Sequence, residues 1–230
     1  MTRLCVLDVD STLITAEVIE LIAARAGTRD EVAAITEAAM RGELDFAQSL
    51  VQRVATLAGV PASVFADVLA EVRFSPGAPE LVAALHAAGW EVALVSGGFA
   101  EIVAPLAERL GITRFRANRL EVAHGVLTGR TEGPVIDRAG KELALREFAA
   151  ELGIAMEDTV AIGDGANDLD MMRAAGLGIA FNAKQVVKDA AHTSVNVPYL
   201  DAIMYLLGIS REEIEAADAA VGIVTPRPPV

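Results

Sequence analysis

The chain has 230 residues, of which 53% are hydrophobic, and a formal net charge of −13 at pH 7. This apolar content supports a full core and excludes a largely disordered protein, while the negative charge argues against nucleic acid or an anionic membrane as a partner. Because Cys5 is the one cysteine, no disulfide can form within the chain. Neither a signal-peptide pattern nor an apolar run of about 18 residues is present, and we expect a cytoplasmic protein.

Short apolar runs alternate along most of the chain with segments of helical periodicity. The runs are predicted strands with the sequences LCVLDV, EVALVSGG, TVAIGDG and GLGIAF. The segments between them repeat apolar residues at i, i+3 and i+4 and end in glycine, which is typical of helices. Strands without a polar face, separated by helices, predict an α/β fold with a parallel sheet covered on both sides.

One region departs from this alternation. From about Glu17 to Arg73 the periodicity is helical only, and a Pro- and Gly-rich segment at 76–79 then ends it. We therefore predict four short helices inserted after the first strand as a small helical cap, with residues 15–75 as the cap domain and residues 1–14 and 76–230 as the core. Later in the chain, alternation around Gly125 predicts a hairpin at the edge of the sheet.

Two aspartates, Asp8 and Asp10, end the first predicted strand. Residues i and i+2 of a strand point the same way, so both carboxylates are expected to leave the carboxyl end of the sheet, where open α/β sheets bind ligands. We expect Ser11 and Thr12 to cap the helix that follows, whose positive end favours an anion. The simpler interpretation is that Asp10 or Ser11 only caps a helix.

Three later segments place polar groups at the same edge of the predicted sheet. A Ser-Gly-Gly turn after a strand offers a hydroxyl and backbone N–H groups to phosphate oxygens. A lysine in the first turn of a helix opposes the helix dipole unless an anion lies there. A third strand ends in an acidic, glycine-flanked string. The residues concerned are Ser96, Gly97, Gly98, Lys141, Asp164, Asn167 and Asp168.

Together these groups form the set that phosphoryl transfer needs. It comprises a carboxylate nucleophile, a proton donor, clamps for the phosphoryl oxygens and oxygen ligands for a divalent ion. Each group alone has an ordinary structural explanation, and the prediction depends on their joint occurrence.

The strings DVDST, SGG and GDGAND, with the lysine that opens a helix, resemble the four motifs of the haloacid dehalogenase (HAD) superfamily of phosphatases. The chain resembles the phosphoserine phosphatase branch of that superfamily over nearly its whole length, the helical cap included. The resemblance implies a Rossmann-like core with the cap inserted after the first strand. It also implies magnesium-dependent hydrolysis of L-phosphoserine to L-serine and phosphate, the last step of serine biosynthesis.

The resemblance also implies roles for individual residues. Asp8 matches the nucleophile that becomes an aspartyl-phosphate, and Asp10 matches the general acid and base. Magnesium would be held by the Asp8 and Asp164 carboxylates and the Asp10 backbone carbonyl, with Asp168 nearby. The groups that would hold the phosphoryl oxygens are Ser96, Gly97, Lys141 and Asn167.

Substrate selectivity would come from the cap. By the same resemblance, Glu17 would bind the ammonium group and Arg53 the carboxylate of phosphoserine, a task that suits the guanidinium fork. Phe46 and Met40 match pocket-lining positions. From spacing alone, Glu17 and Arg53 are more typical of a solvated helix surface and Phe46 of an ordinary core.

Three other functions remain open at this point. A phosphotransferase from phosphoserine to homoserine would share the motifs, as would a phosphatase of another small phosphomonoester. A phospho-accepting signalling module is disfavoured by the cap, by Asp10 as a built-in acid and by the position of Lys141. Because the chain begins at the catalytic strand, regulation by an amino-terminal domain is not expected, and the sequence leaves open whether the protein is a monomer or a homodimer.

Overall fold

The computed structural model describes residues 2–40 and 43–209, together with 212, 213, 215, 216, 219 and 222. Within these residues the core is one seven-stranded sheet of order β4-β3-β2-β1-β5-β6-β7, parallel except for the β3–β4 pair. The strands are β1 (Leu4–Leu7), β2 (Glu91–Phe99), β3 (Arg114–Ala123), β4 (Val126–Glu132), β5 (Thr159–Gly163), β6 (Leu177–Phe181) and β7 (Thr193–Val195). The predicted parallel α/β sheet is confirmed.

Helices cover both faces of the sheet. Successive side chains of β1 enter different clusters, with Cys5 and Leu7 in one and Leu4 and Val6 in the other, as a strand buried on both faces requires. This explains why the strands read as unbroken apolar runs. The helices of the core are α5 (Ala78–Ala87), α6 (Ala100–Arg109), α7 (Arg138–Leu152), α8 (Leu169–Ala174), α9 (Gln185–Lys188) and α10 (Ile203–Leu206).

The segment between β1 and α5 contains helices and no strand in its described part. The helices are α1 (Val18–Ala26), α2 (Arg29–Met40), α3 (Phe46–Ala55) and α4 (Val64–Glu71). The two chain segments that join them to the sheet run side by side, since Thr15 N donates to Arg73 O at 3.1 Å and Ser75 N donates to Leu13 O at 2.9 Å. The four predicted helices are therefore present, while the division into a core and a cap domain stays a prediction.

The predicted hairpin is β3 and β4 at one edge of the sheet. His124 and Gly125 connect the strands with φ of 53° and 79°, as the two central residues of a type I′ turn require. Strand β7 at the other edge was not predicted, because three residues are too few to show a pattern. Across the described residues, every helix is too short or too polar to cross a membrane.

Candidate active site

The four sequence motifs meet at the carboxyl end of the three central strands. Asp8 directly follows β1, whose residue Leu7 pairs with Leu94 of β2 on one side and with Ile162 of β5 on the other. The side chains that follow those pairs, around Ser96 and Asp164, therefore lie next to Asp8. This edge is where parallel α/β sheets bind their ligands.

The turn after β1 is not the predicted helix start. Asp10 and Ser11 have non-helical backbone angles, with φ of +59° at Ser11, and α1 begins only at Val18. Ser11 and Thr12 are therefore not helix caps, and that prediction is wrong. Their hydroxyls instead donate to carboxylates, Ser11 Oγ to Glu17 Oε1 at 2.6 Å and Thr12 Oγ1 to Asp164 Oδ1 at 3.2 Å.

Lys141 is a buried cation between two buried carboxylates. Its Nζ donates to Asp8 Oδ1 at 2.5 Å and to Asp168 Oδ1 at 2.6 Å, and its side chain is 1% exposed. Burial opposes the charge, but Asp168 and Asp8 outweigh it and raise the pKa of Lys141. Asp137 caps α7 by accepting from Gly140 N at 2.8 Å, so an acidic group already serves the helix end where Lys141 lies.

Three carboxylates converge beside this lysine. Oxygen atoms of Asp8, Asp164 and Asp168 lie within 4.8 Å of one another. Burial and the neighbouring Asp168 raise the pKa of Asp164 to about 6, and burial and Asp168 likewise raise the pKa of Asp8. One lysine cannot balance the charge of three carboxylates, and the atoms they offer to a metal are all hard oxygens. The cluster therefore fits a hard divalent cation.

Asp10 lies in a different environment from Asp8. Its Oδ2 accepts from Val18 N at 3.3 Å, whereas its Oδ1 is buried and no described group donates to it. Burial and the Glu17 carboxylate raise the pKa of Asp10. A carboxyl oxygen without a donor favours the protonated form, which can give its proton to an acceptor.

The Ser96–Gly98 loop is not the turn after a strand that was predicted, since it lies inside β2, where the regular ladder of the sheet is interrupted. Ser96 pairs with Ala117 and Phe99 with Asn118, so Gly97 and Gly98 form a bulge. The buried Ser96 Oγ accepts from Gly98 N at 2.8 Å. Asn118 Nδ2 donates to Gly97 O at 2.8 Å.

Asn118 was not among the predicted site residues. Its Oδ1 accepts from Ile136 N at 2.7 Å, so this 1% exposed side chain joins the loop to the segment that precedes α7. An asparagine in the strand-like sequence RFRANRLEV is unusual, and this was the available signal.

Residues of the helical segment reach the same edge of the sheet. Phe46 opens α3, and its ring lies so close to Gly97 that a methyl group there would be 2.9 Å from Phe46 Cζ. Burial lowers the pKa of Arg53, also on α3, while the Glu17 and Asp10 carboxylates act in the opposite direction.

Two further predicted site residues, Asn167 and Met40, lie in helical segments. Asn167 lies, partly exposed, in the 3₁₀ turn Ala166–Asp168 beside the acidic cluster. Met40 is the last residue of α2, and its side chain lies outside the described part of the chain.

Comparison with known proteins identifies relatives over most of the chain. Residues 5–173 match the family model of the haloacid dehalogenase-like hydrolases. The phosphoserine phosphatase of Streptomyces coelicolor is 62% identical over 216 residues, and phosphoserine phosphatase SerB2 of Mycobacterium tuberculosis is 57% identical over 217 residues. A solved structure described as a phospho-aspartyl intermediate analogue of phosphoserine phosphatase superimposes with a TM-score of 0.84 at 41% identity, covering 89% of this chain and 98% of that one.

The two curated relatives are longer than this chain. The matches cover 94% of the chain but 53% of either relative. The chain thus spans about half the length of these proteins.

Proposed function

The chain belongs to the haloacid dehalogenase-like hydrolase family, and on that premise we propose that it is a magnesium-dependent phosphatase that hydrolyses O-phospho-L-serine to L-serine and phosphate. The observation that carries this proposal is the pair of unlike carboxyl groups after β1. Asp8 is ion-paired with Lys141, whereas the buried Oδ1 of Asp10 has no donor among the described groups. One carboxyl group is thus suited to attack and the other to donate a proton.

In the first step Asp8 would attack the phosphorus atom. A bond forms between an Asp8 carboxylate oxygen and phosphorus, and the bond from phosphorus to the serine oxygen breaks. Asp10 would give its proton to the departing serine oxygen. The phospho-aspartyl analogue solved for the structural neighbour supports this intermediate.

In the second step water would release the phosphate. The Asp10 carboxylate would take a proton from the attacking water, and the bond between Asp8 and phosphorus would break as the new bond forms. Ser96, Gly97, Lys141 and Asn167 would hold the phosphoryl oxygens, because a hydroxyl, backbone N–H groups, a cation and an amide all donate hydrogen bonds.

Magnesium would be held by the Asp8 and Asp164 carboxylates and the Asp10 carbonyl oxygen, with Asp168 beside them. A bound divalent ion supplies charge neutralisation for the phosphoryl oxygens during transfer. The protein's own contribution is to hold the carboxylates in place through Lys141 and Thr12.

Selectivity for phosphoserine would come from α1 and α3. Glu17 would bind the substrate ammonium and Arg53 its carboxylate, with Phe46 and Met40 lining the pocket. The Glu17 carboxylate acts to raise the pKa of Arg53 against the effect of burial, so a carboxylate and a guanidinium are both available for a zwitterionic substrate. A cytoplasmic location remains a proposal from the sequence.

The test is phosphate release from L-phosphoserine and from a panel of other phosphomonoesters, with magnesium and with excess chelator. We expect magnesium-dependent release that favours phosphoserine and is abolished in Asp8→Asn. Equal release from all substrates would contradict the selectivity. Phosphoserine consumption that yields phosphohomoserine when homoserine is added would identify a phosphotransferase instead.

A further inference from the structure

Helix α3 contacts the core at both ends. At its first residue, the Phe46 ring lies on Gly97 of the Ser96–Gly98 loop. At its other end, Ala55 and the following Ala58 lie against Gly129 of β4. The helix that carries Phe46 and Arg53 is therefore held between two glycines of the core.

Gly129 lies in a second bulge of the sheet. Leu120 pairs with Thr131 and Val122 with Leu127, so residues 128–130 of β4 lie opposite Glu121 alone. Gly129 has a φ of +81°, and a methyl group there would lie 3.0 Å from Ala58 Cβ and 3.2 Å from Ala55 O. These distances are shorter than ordinary van der Waals contact, so a side chain at this position would press on the end of α3 and on Ala58.

Backbone hydrogen bonds join the segment after α3 to β4, while the end of α3 itself lies against Gly129. The connection after α3 pairs with β4 through Gly59 N to Leu127 O at 2.8 Å, Leu127 N to Val60 O at 2.8 Å and Ala62 N to Gly125 O at 2.9 Å. Because these bonds lie beyond the helix end, we expect them to hold the following segment in place when a side chain at position 129 presses on Ala55, so that the helix end is the part displaced.

We propose that Gly129 is a specificity-determining position, which acts by letting α3 approach the core closely enough to place Arg53 and Phe46 over the site. Arg53 lies only two residues before Ala55, so a displacement of that helix end moves the guanidinium directly. Positioning errors of about 1 Å in a binding group can cost up to ~100-fold in rate. The role in selectivity rests on the proposed phosphoserine phosphatase activity, whereas the placement of α3 does not.

The matched control is Gly133, the residue that follows β4. It has a φ of +80°, nearly that of Gly129, yet an added methyl group would have no neighbour within 4 Å. Substitutions at the two positions therefore carry the strain of a similar positive φ, and only those at Gly129 press on the end of α3. The variants are Gly129→Ala and Gly129→Leu, each paired with the same substitution at Gly133.

The first readout is the ratio of kcat/KM for L-phosphoserine to kcat/KM for an aryl phosphate, which has neither ammonium nor carboxylate. We expect this ratio to fall about tenfold in Gly129→Leu and by less in Gly129→Ala, mainly through KM for phosphoserine. Both Gly133 variants should keep the ratio of the unchanged chain. Equal ratios in the Gly129 and Gly133 variants would overturn the selectivity role.

The second readout needs no substrate. Hydrogen exchange of the α3 backbone amides should be faster in the Gly129 variants than in the matched Gly133 variants, and equal exchange would overturn the placement of α3. If Gly129→Leu does not fold, the alanine pair still decides. If the unchanged chain releases no phosphate from phosphoserine, the proposed function and the selectivity role fail together, and hydrogen exchange alone decides the placement.

Discussion

Lys141 Nζ lies 2.5 Å from Asp8 Oδ1, although the two residues are 133 positions apart in sequence. The same ammonium group reaches Asp168 Oδ1 at 2.6 Å. A buried cation that satisfies two buried carboxylates is costly to remove, because both carboxylates then lose their partner. The acidic site is thus stabilised from within the protein.

Replacing Lys141 by methionine should lower the free energy of unfolding by about 3–5 kcal/mol, the usual cost of leaving buried charges unpaired. Urea denaturation in the presence of chelator measures this loss. Adding Asp168→Asn to Lys141→Met should recover part of it, because one unpaired charge is then absent. Lys188→Met on α9, where the lysine is partly exposed, is the control and should change little. A loss for Lys141→Met no larger than for the control would contradict the structural role.

Magnesium should stabilise the protein against heat, and Asp164→Asn should remove most of this effect. A ligand that binds only the folded state adds about 2.7 kcal/mol at a concentration 100-fold above its Kd, and Asp164 supplies one of the clustered carboxylates. The measurement is the Tm with magnesium and with chelator. Asp158→Asn, at the opposite end of β5, is the matched control. An unchanged magnesium effect in Asp164→Asn would remove that residue from the proposed metal site.

Much of the fold was predictable because its signals are local. Strands such as β1 are buried on both faces, so apolar runs between helical segments were sufficient to predict a parallel sheet. The motif residues Asp8, Ser96 and Asp164 were predicted to share an edge for the same reason, since each was placed at the end of a predicted strand and parallel strands end together.

The missed features depend on contacts between distant parts of the chain. The turn at Ser11 has a left-handed backbone conformation, and its neighbour Thr12 bonds to Asp164, 152 positions away. No local pattern shows such a partner, so capping was the natural expectation. Asn118 was overlooked for a related reason, because its two partners, Gly97 and Ile136, lie on other segments.

Replacing Arg53 by alanine should reduce kcat/KM for phosphoserine far more than for an aryl phosphate. The proposed partner of the guanidinium is the substrate carboxylate. Each loss of about 1.4 kcal/mol in binding this carboxylate lowers kcat/KM for phosphoserine tenfold. Arg53→Lys should restore only part of the selectivity, because an ammonium lacks the bidentate fork. Arg25→Ala on α1, which removes an ion pair to Glu71, is the control. Equal losses for both substrates would contradict the selectivity role of Arg53.

Glu101 offers a pH-dependent test away from the acidic cluster. Burial raises the pKa of this carboxyl group on α6 above its ordinary value of 4.5. A raised pKa in the folded state means that the folded protein binds the proton of Glu101 more tightly than the unfolded chain does. The stability that protonated Glu101 contributes is therefore complete below about pH 4.5 and is lost as the pH rises through the folded-state pKa.

Glu101→Gln is permanently neutral and its side-chain oxygen can still accept from Leu120 N, which lies 3.5 Å from Glu101 Oε2. It should therefore have a higher Tm than the unchanged chain at pH 7, with a difference that shrinks towards pH 4.5. Glu108→Gln, at an exposed position later on the same helix, is the control substitution. Thermal unfolding of the three proteins between pH 4.5 and 7 decides, and a lower Tm for Glu101→Gln at pH 7 would refute the assigned sign.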